Sequence, residues 1–306
     1  MQTKSLPDNL YNKGHLQLIV FTLLCFLAFT YNLSEVPPYH ADENFYVTST
    51  RNMIETSDYI TPMYHGKKRF AKPILFYWLV AISYKTFGVN LFSARLVSSL
   101  FGAFCIPITY MIARRLFDQK TAIISAILLP GCYLHFQIAR WATTDMSLNF
   151  FILSTFYFFI RGFQEKSNKD TSYFLMYICM GIGFMIKGPP GIIIPTFVIA
   201  CYILALKNWE ELPQLRLAYG VAIIAVIILP WFVTMLALHG DEFKNHILGA
   251  ELRDRIVHDT PFSLYYLGVI IRYYLPWSFF FIAALIKQFE LTLISPQSIH
   301  LKENIF

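Results

Sequence analysis

Charged side chains are scarce in this 306-residue chain: Asp, Glu, Lys and Arg make up 14% of it, against roughly 25% in soluble globular domains. So little charge excludes an ordinary soluble domain. Cysteine is sparse as well. The five (Cys25, Cys105, Cys132, Cys179 and Cys201) are scattered through apolar runs and form no CxxC pair, which argues against a disulfide framework and a thiolate metal site. Short alternating segments, the signature of an outer-membrane barrel, are missing; the apolar stretches here are continuous. There is no internal repeat of fixed period and no low-complexity segment. No small-x-small cleavage site follows the first apolar run, so that run reads as an uncleaved span.

What the chain has instead is 56% hydrophobic and 17% aromatic residues. Runs approaching the roughly 20 residues needed to cross a bilayer recur along it. The expected architecture is an all-α, polytopic membrane bundle. Spans are expected at His15–Leu33, Phe92–Ala113, Lys120–Ala139, Asp145–Ile160, Tyr173–Ile186, Pro189–Leu206, Arg216–Leu238 and Leu267–Ile286. Residues 1–14 form a cytoplasmic N-terminus, 15–287 the membrane domain, and 288–306 a short polar tail.

The segment Pro73–Gly88, PILFYWLVAISYKTFG, is apolar but short, and it carries Lys85. Charge decides how to place it. The loops Arg114–Lys120 and Arg161–Lys169 are compact and basic, and such loops prefer the cytoplasm. Both fall inside only if Pro73–Gly88 does not cross. It is therefore expected to lie along the interface, within a helical first external loop spanning 34–91. By this topology close to half of the Lys and Arg fall on each side, so no general bias is present. The external cations Arg51, Lys67, Lys68, Arg69, Lys72, Arg140, Lys187, Lys244, Arg253 and Arg255 instead point to an anionic ligand on that face. Solvated loop or headgroup contacts account for Lys67 and Lys68. The net charge of +6 fits lipid phosphate as a partner; nothing suggests nucleic acid.

Five stretches place polar groups at the outer surface. Asp42 and Glu43 follow Pro37-Pro38, which turn the chain away from the first span. One acid near a helix N-terminus is explained by the dipole; two acids beside Phe45 and Tyr46 are not, and Asp42 is a candidate general base. Lys72 precedes Pro73 at a helix start, where free N–H groups favour anions, although a snorkelling lysine beside an aromatic belt looks the same. Arg140 and Asp145 flank a tight turn, where Asp145 suits the next helix's dipole and is in range to pair with Arg140. Lys187 opens Lys187-Gly188-Pro189-Pro190-Gly191, whose glycines and prolines alone would make a hinge. His246, Glu251, Arg253, Asp254, Arg255 and His258 share one helix-like stretch, where Glu251 and Arg255 lie on one face.

Taken in order, Asp42-Glu43-x-x-Tyr46, Phe70-x-Lys72-Pro73, Ala139-Arg140-x-x-x-x-Asp145-Met146, Lys187-Gly188-x-x-Gly191, Glu251-x-x-x-Arg255 and Pro276-Trp277 resemble the bacterial aminoarabinose transferase and protein O-mannosyltransferase superfamily of GT-C fold. Phe70-Ala71-Lys72-Pro73 is nearer the lipid A aminoarabinose branch. The resemblance implies an inverting sugar transfer from a polyprenyl-phosphate donor to a lipid A-type lipid or protein acceptor. It places the site on the periplasmic face of a bacterial inner membrane. Asp42 would be the base, Lys72 would bind donor phosphate, and Asp145 with Glu43 would complete the acidic site. Tyr46, Arg140, Lys187, Glu251 and Arg255 would bind substrate. No metal or other cofactor is expected, because side-chain cations can neutralise a lipid monophosphate leaving group. Two departures stand out. Phe45 occupies a position usually held by Arg, and Ala71 one often held by Glu. Family members also carry further spans and often a soluble C-terminal domain. Two other classes compete: a lipid-linked sugar flippase, which would need charges deep within its spans, and an inactive remnant of a transferase.

Overall fold

The computed structural model describes residues 8–38, 41–247, 249 and 265–294. The first helix, α1 (Asp8–Thr30), runs into a turn and then Pro37-Pro38. Proline lacks an N–H and fixes φ, so the helix cannot continue through this pair. The chain restarts as α2 (Ala41–Thr56), with Asp42 and Glu43 in its first turn. A two-stranded hairpin follows, β1 (Met63–Tyr64) against β2 (Lys67–Lys68), antiparallel with Met63 opposite Lys68. Helix α3 (Leu75–Phe87) then leads to α4 (Leu91–Leu116). The Asn90 side chain accepts the Ser93 N–H at 2.8 Å and so caps α4.

Helix α3 has 13 residues, about 20 Å of rise, against a hydrocarbon core of roughly 30 Å. Its two ends also sit at the same end of the bundle. Gly88 adjoins the start of α4, and a methyl group built on Gly188, beyond the C-terminus of α8 (Lys169–Lys187), would lie 4.0 Å from Pro73 Cδ. The segment thus lies across one end of the bundle.

The rest is an up-and-down bundle. Helix α7 (Thr144–Gln164) packs most extensively against α8 and then against α4. Helix α9 (Pro190–Leu206) follows after a short turn. The small α10 (Glu211–Gln214) precedes α11 (Leu217–His246), which is kinked at Gly240. By length and composition α4, α7 and the stretch Glu211–His246 are apolar enough to cross a membrane on their own, and Gly14–Thr30, Pro190–Leu206 and Ser278–Lys287 are shorter apolar helices.

The span expected at Lys120–Ala139 is corrected. It is α5 (Gln119–Leu128) and α6 (Tyr133–Ile138), broken where Leu129-Pro130-Gly131-Cys132 interrupts the ladder. The break is filled from the later helices Tyr265–Tyr273 and Ser278–Ile294 and the turn between them. Trp277 Nε1 donates to the Leu128 carbonyl at 2.9 Å, and the Tyr133 N–H donates to the Leu275 carbonyl at 2.9 Å.

At the end opposite α2 and α3, ion pairs tie the basic loops. Arg115 pairs with Glu165 at 2.7 Å, and Lys169 with the buried Glu211 at 2.9 Å. Both compact basic loops therefore occupy one end, and the hairpin, α2 and α3 the other. The core at the second end is aromatic. Tyr46, Phe70, Phe76, Tyr77, Trp231 and Phe243 are all buried in one cluster.

Candidate active site

Two neighbouring acids in a helix's first turn project about 100° apart, so only one of Asp42 and Glu43 can face the core. Glu43 does, and it is fully buried. Its Oε1 accepts from Arg95 Nε at 2.6 Å and its Oε2 from Arg95 Nη2 at 2.8 Å. Oε1 also accepts the Ala142 N–H at 2.9 Å. Arg95 Nη1 donates to the Leu33 and Val36 carbonyls at 2.6 and 2.7 Å. This is a bidentate, charge-assisted pair, and it ties the end of the first span, α2, α4 and the turn before α7 together. Glu43 was expected beside Asp42 in proton transfer. With both oxygens committed, it is a positioning residue instead.

Asp42 is exposed. It lies four residues before Tyr46 and so shares a face with it. Tyr46 is 2% exposed. Its ring meets Phe76 and Tyr77 at centroid distances of 5.0 and 5.2 Å, and its hydroxyl interacts with the Thr144 side chain. Burial pushes the Tyr77 phenol up to about 12, opposed by the charge of Arg69 and a hydrogen-bonding approach from it; Asp42 adds to the rise. Burial likewise raises the Tyr46 phenol, with the charges of Tyr77 and Asp42 reinforcing it and Arg69 opposing it. Asp42 and Arg69 thus act on the same two phenols.

Thr144 begins α7, and Asp145 in its first turn pairs with Lys187 in the last turn of α8. The pairing of Asp145 with Arg140 considered from spacing does not form. Arg140 Nη1 donates to the Phe29 and Ala28 carbonyls at 3.0 and 3.2 Å, satisfying carbonyls at the end of α1. Arg140 was expected among the substrate-binding residues; its contacts tie the turn between α6 and α7 to the end of α1. Lys187 leads to Gly188 and so to Pro73, with half-buried Lys72 one residue before it. Tyr46 to Thr144-Asp145, Asp145 to Lys187, Gly188 to Pro73, and Tyr77 back to Tyr46 form a closed circuit of neighbours. It brings Asp42, Lys72, Asp145 and Lys187 to one end of the bundle. Glu251 and Arg255 lie outside the described residues.

Two residues were not assigned to the site from sequence. Arg95 was buried inside an expected span, where a lone arginine near an outer acid pair is the signal for a tie. Arg69 was counted among the external cations, but nothing local showed that its guanidinium carbon would lie 3.6 Å from the centroid of the Phe45 ring. Size of cavity is no guide here. A cavity of about 1060 Å³ lined by Phe163, Leu206, Lys207, Trp209 and Glu210 lies at the opposite end, away from both acids.

The surroundings of this circuit match known proteins. The family model described as dolichyl-phosphate-mannose-protein mannosyltransferase matches residues 71–233, more than half of the chain. An uncharacterized protein of Aquifex aeolicus is 31% identical over 88% of this chain and 53% of its own length. The undecaprenyl phosphate-alpha-4-amino-4-deoxy-L-arabinose arabinosyl transferase 2 of Pseudomonas fluorescens is 28% identical over 77% of this chain and 44% of its own. The crystal structure of ArnT from Cupriavidus metallidurans bound to undecaprenyl phosphate superposes with a TM-score of 0.79 at 26% identity, covering 89% of this chain and 50% of that one. The chain spans about half the length of the relatives it matches.

Proposed function

Because the chain belongs to the dolichyl-phosphate-mannose-protein mannosyltransferase family, we propose that it is a membrane glycosyltransferase. It moves a sugar from a polyprenyl-phosphate donor to an acceptor at the periplasmic face of a bacterial inner membrane. The observation that carries this reading is the closed circuit joining Asp42, Lys72, Asp145 and Lys187 at one end of an apolar bundle. There a membrane-held phosphate and a water-borne acceptor meet. The donor class is supported by the undecaprenyl phosphate carried by the similar Cupriavidus structure.

The reaction is a single displacement. An acceptor hydroxyl oxygen attacks the anomeric carbon and forms the new C–O bond. The bond from that carbon to the phosphate oxygen breaks, and the polyprenyl monophosphate leaves with the electron pair, inverting the centre. Asp42, exposed at its helix start, takes the acceptor proton. Lys72 and Lys187 lower the cost of charge building on the leaving phosphate, which is where preorganised cations act most strongly. Lys187 can serve only when the phosphate competes with Asp145 for it.

Comparing the mass spectra of lipid A and surface glycans with and without the gene identifies the transferred sugar. Asp42→Asn is expected to cut transfer by about 10²–10⁴-fold, the range of general-base catalysis, with unchanged expression and melting temperature. Wild-type transfer by this variant would overturn the assignment of the base. No gene-dependent glycan on any acceptor would overturn the enzyme reading itself.

A further inference from the structure

We infer that Arg69 is a ligand of the donor phosphate, supplying from beyond the hairpin the cation that α2 lacks beside Asp42. The inference rests on the glycosyltransferase reading above. The Arg69 guanidinium carbon sits 3.6 Å from the Phe45 ring centroid. Phe45 is three residues from Asp42, on the neighbouring turn of α2. Arg69 is three residues before Lys72, and its N–H donates to the Pro62 carbonyl at 2.8 Å, which ties the residue after β2 back to the one before β1. The same guanidinium draws the Tyr46 and Tyr77 phenols down in pKa while Asp42 pushes them up, so Arg69 and Asp42 both lie within electrostatic reach of those two side chains.

Two polar groups there are unsatisfied. Arg69 Nε is buried with no hydrogen-bond partner among the described residues, and so is the Tyr77 hydroxyl, which the guanidinium approaches without reaching hydrogen-bond geometry. Among those residues no carboxylate lies within ion-pair distance of Arg69. The ring face offers no conventional hydrogen-bond acceptor to the half-buried Arg69 guanidinium. Left unpaired the guanidinium is unfavourable; with a phosphate it forms the planar two-pronged contact that arginine makes better than lysine. Tyr77 would then donate its hydroxyl proton to the same anion.

The test uses the full chain in detergent with two probes, undecaprenyl phosphate and uncharged undecaprenol. Arg69→Gln is expected to weaken undecaprenyl phosphate binding roughly 10- to 100-fold, the range for a hydrogen bond to a charged group, and to leave undecaprenol binding unchanged. Adding Phe45→Arg to Arg69→Gln should recover most of the loss, since position 45 lies directly beneath the guanidinium. Arg69→Lys, which keeps the charge and is the safer variant for folding, should bind undecaprenyl phosphate at intermediate strength. If both Arg69 variants bind undecaprenyl phosphate as the wild type does while Lys72→Ala loses it, the inference fails and the transferase reading stands. Equal weakening for both probes would make Arg69 a structural brace and also overturn the inference. A wild-type chain that does not prefer undecaprenyl phosphate to undecaprenol would overturn both readings.

Discussion

Asp42 and Glu43 are adjacent, chemically alike and in the same helical turn, yet their roles diverge because one side of α2 faces protein and the other faces the site. Glu43 and Arg95 form a fully buried, bidentate pair. Removing one partner of such a pair strands a charge and costs about 3–5 kcal/mol. Arg95→Met is therefore expected to lower the melting temperature of the detergent-solubilised chain strongly, whereas Asp42→Asn leaves it unchanged. Glu43→Leu combined with Arg95→Met should recover part of the loss, although the Ala142 N–H that Glu43 accepts is then left without its partner. Equal melting temperatures for Arg95→Met and wild type would show that the pair does not hold α2 in place. The sequence makes the acid pair visible through its position after Pro37-Pro38. It cannot sort the two acids, because that depends on Arg95, which lies 52 residues further along the chain. Arg140 illustrates the same limit. Its spacing from Asp145 suggested a pair, but α1 carbonyls far away in sequence outcompete the nearby carboxylate.

Helix starts and stops were largely readable, since prolines, glycines and Asn90 act locally. The hairpin of α8 and α9 shows why packing was not. Gly188 adopts φ 85°, in the left-handed region where an L side chain is strained. Gly191 is closer still: a methyl there would sit 2.3 Å from the Gly183 carbonyl carbon and 2.4 Å from the Phe184 nitrogen. These are backbone atoms and cannot swing aside. Gly191→Ala is thus expected to pry α9 from α8 and destabilise the chain by about 1–3 kcal/mol. The displacement reaches Lys187, one turn away, so undecaprenyl phosphate binding should weaken as well. Gly188→Ala should cost about 1–2 kcal/mol through strain alone, with a smaller effect on binding. Thermal unfolding and a binding isotherm on the two variants check both. If Gly191→Ala melts like the wild type, α9 is not seated as closely as this. The broken α5–α6 segment went unrecognised for a related reason. Its apolar run is continuous in sequence, and Trp277, whose ring would lie 2.9 Å from a methyl on Gly131, fills the break from 146 residues away.

Which face of the membrane each loop occupies follows from one short helix. If α3 crossed the bilayer, every later loop would change sides. The hairpin would remain outside, and the basic turn at Arg114–Lys120 would join it there. If α3 lies along the surface, as its length and the proximity of Pro73 to Gly188 argue, the turn is cytoplasmic. Single cysteines at Lys67 in the hairpin and Lys120 at the start of α5 separate the two cases, because both positions are solvent-facing. The native cysteines do not interfere: Cys105, Cys132 and Cys179 are buried, and Cys25 and Cys201 lie within the apolar helices α1 and α9, out of reach of a charged aqueous reagent. With a membrane-impermeant maleimide on intact spheroplasts, Lys67→Cys is expected to label at once and Lys120→Cys only after permeabilisation. Labelling of both from outside would mean that α3 spans. Asp145 and Lys187 would then be carried to the face opposite Asp42 in any two-sided arrangement of the loops. The circuit that joins them at one end of the bundle would have to be abandoned, and the proposed reaction with it.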